Sequence, residues 1–144
     1  MASIRIEAVK EIPEGFQPLP RSSPFVSLVG PLYERRAGGA LSVGLRIEQK
    51  HSNTRGVCHG GVLATLADMA LGLAMHAQSG KSGFVTAHLA VDYAGSAKVG
   101  DWVESEVEIQ RVGAKLAFAN CYLVVDGKRI VRASAIFAHV AKPG

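Results

Sequence analysis

The sequence contains few charged and few aromatic residues. Of its 144 residues, 19% are charged and 6% aromatic, whereas 48% are hydrophobic. A disordered chain carries more charge and less apolar material, so these fractions indicate a compact globular protein with a core of small and branched side chains. At this length we expect a single domain spanning residues 1–144.

Basic residues are not clustered. The formal net charge is only +4, no block of five consecutive Lys or Arg residues occurs, and basic residues are not interleaved with aromatic ones. Nucleic-acid binding is therefore disfavoured. A mild positive charge remains compatible with an anionic small-molecule ligand.

Cysteines and targeting signals are also scarce. Cys58 and Cys121 form neither a CxxC pair nor a Cys/His cluster, so we expect no metal site and a reducing, cytoplasmic location. Residues 1–16 lack the apolar core of a signal peptide. Residues 60–78 are long enough to cross a bilayer. Asp68 inside that segment would cost roughly 3 kcal/mol there, so no membrane span is expected.

Local patterns predict one arm, one short helix and six strands. Residues 1–30 resemble an irregular arm, within which Ser23 can cap a short helix, Pro24 fits its first position and Gly30 can end it. Alternating apolar residues and turn signals predict strands at 31–36, 40–49, 84–93, 102–112, 115–125 and 129–140. Asp126-Gly127 is typical of a tight hairpin.

The segment at about 60–79 predicts a long central helix. It begins at Gly60-Gly61, ends near Ser79-Gly80 and is apolar on every side, which is typical of a helix surrounded by other elements. An antiparallel sheet needs a cover for one face. The predicted fold class is therefore α+β, with an antiparallel sheet wrapped around one helix.

Asp68 is the only formally charged residue between Arg55 and Lys81. A buried carboxylate is costly unless it is paired, and perturbed groups of this kind collect at active sites. At the helix start, Gly60-Gly61 leaves backbone N–H groups open to a negatively charged group such as the oxyanion of an attacked carbonyl. Asp68 could instead bond a neighbouring amide, and the glycines could serve close packing.

The spacing of Gly60 and Asp68 predicts a dimer. Eight residues of helix separate them by about 12 Å and place them on different faces. One substrate carbonyl cannot touch both. If both act on one substrate, two antiparallel copies of the helix must meet across a twofold axis, giving two composite sites.

The pattern N-x-x-G-x-x-H-G-G followed by a carboxylate resembles the signature of hotdog-fold acyl-CoA thioesterases. The resemblance is strongest to the phenylacetate-degradation (PaaI-type) and 4-hydroxybenzoyl-CoA (Arthrobacter-type) branch and covers roughly residues 40–140, including VTAHLAVDY and AKVGD. It implies the wrapped-helix fold, dimers commonly assembled into tetramers, an acyl-CoA substrate and no further cofactor.

The resemblance also implies site roles. Asp68 matches the catalytic carboxylate, acting either as nucleophile or as general base, and Gly60 matches the amide that polarises the thioester carbonyl. Asn53 matches a side chain that places the carbonyl or the water, and Thr86 a hydroxyl that contacts the carboxylate. His59 is expected to orient the helix start through hydrogen bonds.

Residues for the CoA moiety are implied less directly. Gly61 at the helix start, and Asp92 and Tyr93 at a strand end, are expected near the substrate channel. Among basic residues, Lys98 matches the family's phosphate contact, with Arg55, Arg111 and Lys115 as further candidates. The sequence YAGSAK lacks the Arg-Pro pair often found at this point in the family.

Two other functions fit the same residues. One is a hotdog dehydratase or hydratase, which would need a His and a carboxylate acting together on an enoyl or β-hydroxyacyl chain. The other is a non-catalytic acyl-CoA-binding module. Asp68 follows His59-Gly60-Gly61 on a helix without that His–carboxylate arrangement, which disfavours the first. The combination of Asp68, Asn53 and Thr86 disfavours pure binding.

Overall fold

A computed structural model describes residues 11–140 of the chain. Its helices and strands follow one another in this order: β1 (Gln17–Pro18), α1 (Pro24–Val29), β2 (Tyr33–Ala37), β3 (Ala40–Arg46), α2 (Gly60–Ser79), β4 (Phe84–Tyr93), β5 (Trp102–Val112), β6 (Leu116–Val125) and β7 (Lys128–His139). Residues 1–10 of the predicted arm and the last four residues of the predicted domain lie outside the described residues.

The strands form one seven-stranded sheet in the order β1-β2-β3-β5-β6-β7-β4, in which every pairing is antiparallel. The predicted hairpin is confirmed: Asp126 and Gly127 both have positive φ and join β6 to β7. Such a turn matches the twist of the strands it connects. The sheet packs around α2, which contacts β3, β4, β5, β6 and β7, and this confirms the predicted wrapped-helix (hotdog) architecture.

Buried residues recur every three or four positions along α2 and form one face of the helix. They are Leu63, Leu66, Ala67, Ala70, Leu71, Ala74 and Met75. The facing positions of β6 and β7 are occupied largely by small side chains, namely Ala117, Ala119, Cys121, Ala133 and Ala135. Small residues on the sheet let the helix backbone approach closely, which explains how a core with few aromatic side chains can be close-packed.

The opposite flank of α2 is only partly covered by residues 11–140. Its residues are half-buried, namely Thr65, Asp68, Met69, Gly72 and Leu73. The expectation that other elements surround the helix therefore holds for the face that packs on the sheet, and this flank remains half-exposed in the described part of the chain. By length and composition α2 could also span a membrane, as core helices of soluble proteins can.

The arm contains the predicted short helix. Ser23 accepts a hydrogen bond from the Val26 N–H at 3.2 Å, and Pro24 occupies the first turn. The strand predicted at 40–49 ends at Arg46, and a 3₁₀ turn follows at Gln49–His51. The buried ring of His51 accepts the Glu48 N–H at 2.8 Å and also bonds the Val29 carbonyl at the end of α1. The Glu48 N–H is therefore not available to a sheet ladder.

Strand β4 lies at the edge of the sheet and contains a bulge. It pairs only with β7, and the register shifts between Thr86 and His88, so that Ala87 is an extra residue. Side chains alternate along a regular strand, which would put Thr86 and Tyr93 on opposite faces because seven positions separate them. The extra residue brings both onto the side that faces α2.

Candidate active site

The first turn of α2 presents one free backbone N–H. His59 caps the helix: its Nδ1 accepts the Gly61 N–H at 2.8 Å, and its carbonyl accepts the Val62 N–H at 2.9 Å. Within residues 11–140 the Gly60 N–H has no acceptor. The Gly60 N–H is therefore open to a ligand, as expected, whereas the Gly61 N–H is already bonded to His59. A single donor remains at the positive end of the helix dipole.

Asp68 carries the carboxylate of the site. Thr86 donates a hydrogen bond from Oγ1 to Asp68 Oδ1 at 2.8 Å. No other hydrogen bond reaches the carboxylate from the described part of the chain, so Oδ2 is open to a water or a substrate. Asp68 is half-buried and lies on the partly covered flank of α2, where a ligand can approach it.

Asn53 organises the loop that precedes α2. Its Oδ1 accepts the N–H groups of Arg55 at 2.8 Å and Val57 at 3.3 Å, and its carbonyl accepts the Gly56 N–H at 3.1 Å. Gly56 has φ +78°, which favours glycine. The N-x-x-G part of the motif thus closes a turn, and the Asn53 amide nitrogen is the part of the side chain left to donate to a substrate or water.

The same loop lies beside the predicted phosphate contacts. Val57 forms an isolated β-bridge with Lys98, and Arg55 is exposed two positions earlier. Lys98 and Arg55 therefore lie at the end of the molecule that holds the start of α2. Arg111 lies near the far end of β5, and Lys115 lies in the turn that follows. The Lys115 carbonyl accepts the His139 N–H, and His139 pairs with Phe84 at the start of β4.

Asp92 and Tyr93 point in opposite directions at the end of β4. Asp92 lies on the outer face of the sheet and pairs with Arg132 of β7 at 2.9 Å. Tyr93 lies on the helix side and donates its hydroxyl to the Gly60 carbonyl at 2.7 Å. The pairing of β4 directs the Asp92 side chain away from α2, and its place beside the substrate channel stays a prediction.

The cysteines are not available as nucleophiles at neutral pH. Cys58 precedes His59, but burial raises the pKa of its thiol to about 11. Burial, together with the charge of Glu106, raises the pKa of Cys121 to about 12. Both thiols therefore stay protonated, and the thiolate is the reactive form.

Sequence reasoning missed His51. The ring is buried and ties the end of α1 to the loop, while the His51 carbonyl accepts the His59 N–H at 2.7 Å. Its contact to the Val29 carbonyl spans 22 positions and so carries no local signal. The link between Tyr93 and Gly60 was missed for the same reason.

The described residues thus combine an antiparallel sheet wrapped around one long helix with a free N–H at the start of that helix and a hydroxyl-bonded carboxylate two turns later. The family model described as "Thioesterase superfamily" matches residues 55–131, and the chain belongs to this superfamily. This finding confirms the family predicted from the N-x-x-G-x-x-H-G-G pattern and the carboxylate that follows it.

Individual relatives agree with this membership. The chain is 44% identical over 128 residues to "Putative esterase PA0474" of Pseudomonas aeruginosa, covering 88% of this chain and 96% of that protein. It is 30% identical over 90 residues to acyl-coenzyme A thioesterase 13 of Mus musculus, covering 61% of this chain and 64% of that protein. A mutant of the phenylacetic acid degradation protein PaaI from Thermus thermophilus shares the fold, with a TM-score of 0.74 and 24% identity over 82% of this chain and 100% of that one.

Proposed function

We propose that this protein hydrolyses acyl-CoA thioesters to the free acid and CoA. The observation that carries the proposal is the pairing of one unoccupied N–H, at Gly60, with one carboxylate held by Thr86, at Asp68. The similarity to a protein named acyl-coenzyme A thioesterase 13 supports acyl-CoA as the substrate class.

The chemistry needs only these groups. The thioester carbonyl oxygen accepts the Gly60 N–H, which stabilises the negative charge that develops as the carbonyl is attacked. Asp68 either takes a proton from the attacking water or attacks the carbonyl itself, forming an anhydride that water then cleaves. In both routes the C–S bond breaks, CoA leaves as the thiolate and the acyl group gains the oxygen of water.

We further propose that each site is composite. About 12 Å of helix rise separates Gly60 from Asp68 within one chain, so Asp68 of the partner subunit would serve the carbonyl held by Gly60. Two features support a second copy of the chain here: the half-buried flank of α2 around Asp68 and the open edge of β4, a ten-residue strand with Asp92 as its only charged residue. Long edge strands of this kind are usually covered in native proteins.

The first test is CoA release, followed by free-thiol detection, across aromatic and aliphatic acyl-CoAs. Wild type should turn over at least one series, and Asp68→Asn should lose roughly 100-fold or more of kcat, the usual contribution of a general base or nucleophile. Equal activity in the variant would reject the mechanism. Tight binding without turnover would favour the binding module, and water addition to crotonyl-CoA would favour the hydratase.

The composite site can be tested by mixing two variants that each lack one group of the site and retain only residual activity. Gly60→Pro removes the N–H at the first helical position, where proline is tolerated, and His59 already has the extended backbone that precedes proline (φ −61°, ψ 133°). Gly60→Ala keeps the N–H and serves as its control.

Co-refolding Gly60→Pro with Asp68→Asn leaves one intact composite site in each mixed dimer. An equal mixture should regain about a quarter of wild-type activity, since half of the dimers are mixed and each has one of two sites intact. Sites formed within single subunits would regain none.

A further inference from the structure

Tyr93 joins the end of β4 to the first turn of α2. Its hydroxyl donates to the Gly60 carbonyl at 2.7 Å, across 33 residues of sequence. We infer that Tyr93 is a positioning residue that fixes the direction of the Gly60 N–H, instead of a contact to CoA. The inference rests on the proposed hydrolysis, because it assigns a task to Tyr93 in that reaction.

The tyrosine restrains Gly60 in two ways. The first is the hydrogen bond to the Gly60 carbonyl. The second is the ring itself: a Cβ built on Gly60 would lie 3.3 Å from Tyr93 Cε1 and Cζ. The ring therefore fills the space beside Gly60 and stops the first turn from moving toward β4.

The residue before Gly60 is held independently. The His59 N–H donates to the His51 carbonyl at 2.7 Å, and the His59 carbonyl accepts two N–H groups of the first turn, from Val62 at 2.9 Å and Leu63 at 3.3 Å. The peptide unit that carries the Gly60 N–H is thus anchored through His59 on one side and through Tyr93 on the other. A donor fixed in this way needs no reorganisation when the oxyanion forms.

Tyr93 contributes little to the buried core, since 51% of its surface is exposed. Removing its hydroxyl should therefore disturb the fold less than the geometry of Gly60. For Tyr93→Phe we expect a fall in kcat of about 5- to 10-fold with KM nearly unchanged, the pattern of an interaction that acts in the transition state. Loss of a CoA contact would instead raise KM and leave kcat unchanged.

The effect should disappear when the N–H is absent. In the Gly60→Pro background Tyr93→Phe should change kcat less than about 2-fold, because there is no donor left to position, whereas in the Gly60→Ala background it should keep an effect. Non-additivity of this kind identifies residues that act through one another. Tyr33→Phe, the same chemical change on β2, is the control and should leave kcat and KM at wild-type values.

A second readout does not depend on turnover. In a ¹H–¹⁵N spectrum of the uniformly labelled protein, Tyr93→Phe should shift the amide resonances of Gly60 and Gly61 and leave those of the β6–β7 hairpin in place. Unchanged Gly60 resonances with unchanged kcat, or a rise in KM alone, would overturn the inference while leaving the hydrolase intact. Absence of hydrolysis by wild type would overturn the proposed function, and the inference with it.

Discussion

At the scale of single residues, the Asp68 carboxylate depends on one hydroxyl. Thr86 supplies the only hydrogen bond that the Asp68 carboxylate receives within residues 11–140, and it leaves the second carboxylate oxygen free. The hydroxyl therefore orients the reacting oxygen and still allows it to react.

Replacing that hydroxyl should lower turnover without loss of the fold. A hydrogen bond to a charged group is worth about 1.5–3 kcal/mol, so Thr86→Val, which keeps the side-chain shape, should reduce kcat roughly 10- to 100-fold. Thr86→Ser keeps the hydroxyl and should stay within a few-fold of wild type. Steady-state kinetics of both variants measure the difference, and equal rates for all three proteins would contradict it.

His59 acts on the helix through its ring nitrogen. Because Nδ1 accepts the Gly61 N–H, His59→Ala should lower the free energy of unfolding by about 1 kcal/mol, the usual cost of losing an N-cap side chain. His59→Asn keeps an acceptor and should recover most of that stability. Urea denaturation of the two variants checks the order, and a proton-transfer role would show instead as an equal loss of kcat in both.

Residue-level prediction succeeded where a local pattern existed. The order Asn53, His59, Gly60 and Asp68 is visible along the chain, and the Ser23 cap follows from the adjacent Pro24. The Tyr93–Gly60 bond and the contact between His51 and Val29 join residues 33 and 22 positions apart, so only the folded backbone shows them.

At the scale of elements, the relation between α2 and β4 depends on one extra residue. Ala87 changes which side chains of β4 face the helix, and this is why Thr86 reaches Asp68 while Tyr93 reaches Gly60. Neither contact requires the other, but a regular strand with all seven positions between Thr86 and Tyr93 could make only one of them.

Deletion of Ala87 should keep both contacts. Without this residue six positions separate Thr86 from Tyr93, so a regular strand places both on the helix side, and we expect kcat to stay within about 3-fold of wild type, well short of the loss that follows removal of a hydrogen bond to a charged group. Ala87→Ser preserves the residue count and the bulge, and is the matched control. A fall in kcat in the deletion variant as large as that of Thr86→Val would contradict this account of the register.

The longer elements were predictable because their boundaries carry chemical signals. Gly60-Gly61, Ser79-Gly80 and Asp126-Gly127 bracket α2 and the last hairpin, and alternation marks β4 to β7 within one residue of the observed ends. The bulge was not predictable, since an alanine carries no turn signal and the register shift follows from pairing with β7. The two-residue strand β1 is too short for any periodicity.

At the scale of the whole molecule, the core responds to alkaline pH through its thiols. Burial raises the pKa of Cys58 from 9.0 to about 11 and that of Cys121, with the charge of Glu106, from 9.0 to about 12. A raised pKa means that the folded state holds its proton longer than the unfolded chain. This contribution to stability is complete below pH 9 and is lost as the pH rises through 11 to 12.

We therefore expect the free energy of unfolding to decrease above about pH 9, partly because of these two groups. Urea denaturation at a series of values from about pH 7 to 11 measures the slope. Cys121→Ala should make this slope shallower, whatever the substitution does to stability at neutral pH, because the variant has one fewer group to titrate. A slope unchanged in the variant would mean that other groups, such as lysines and tyrosines, cause the whole decrease.

The open edge of β4 has a consequence for how the protein would behave on dilution. If the site forms only when two chains meet, the concentration of active centres rises with the square of protein concentration once most chains are single. Specific activity would then decline in assays run below the dissociation constant of the dimer, and excess Asp68→Asn protein would restore part of it by supplying partners. A protein with sites inside each chain would keep one constant specific activity at every dilution.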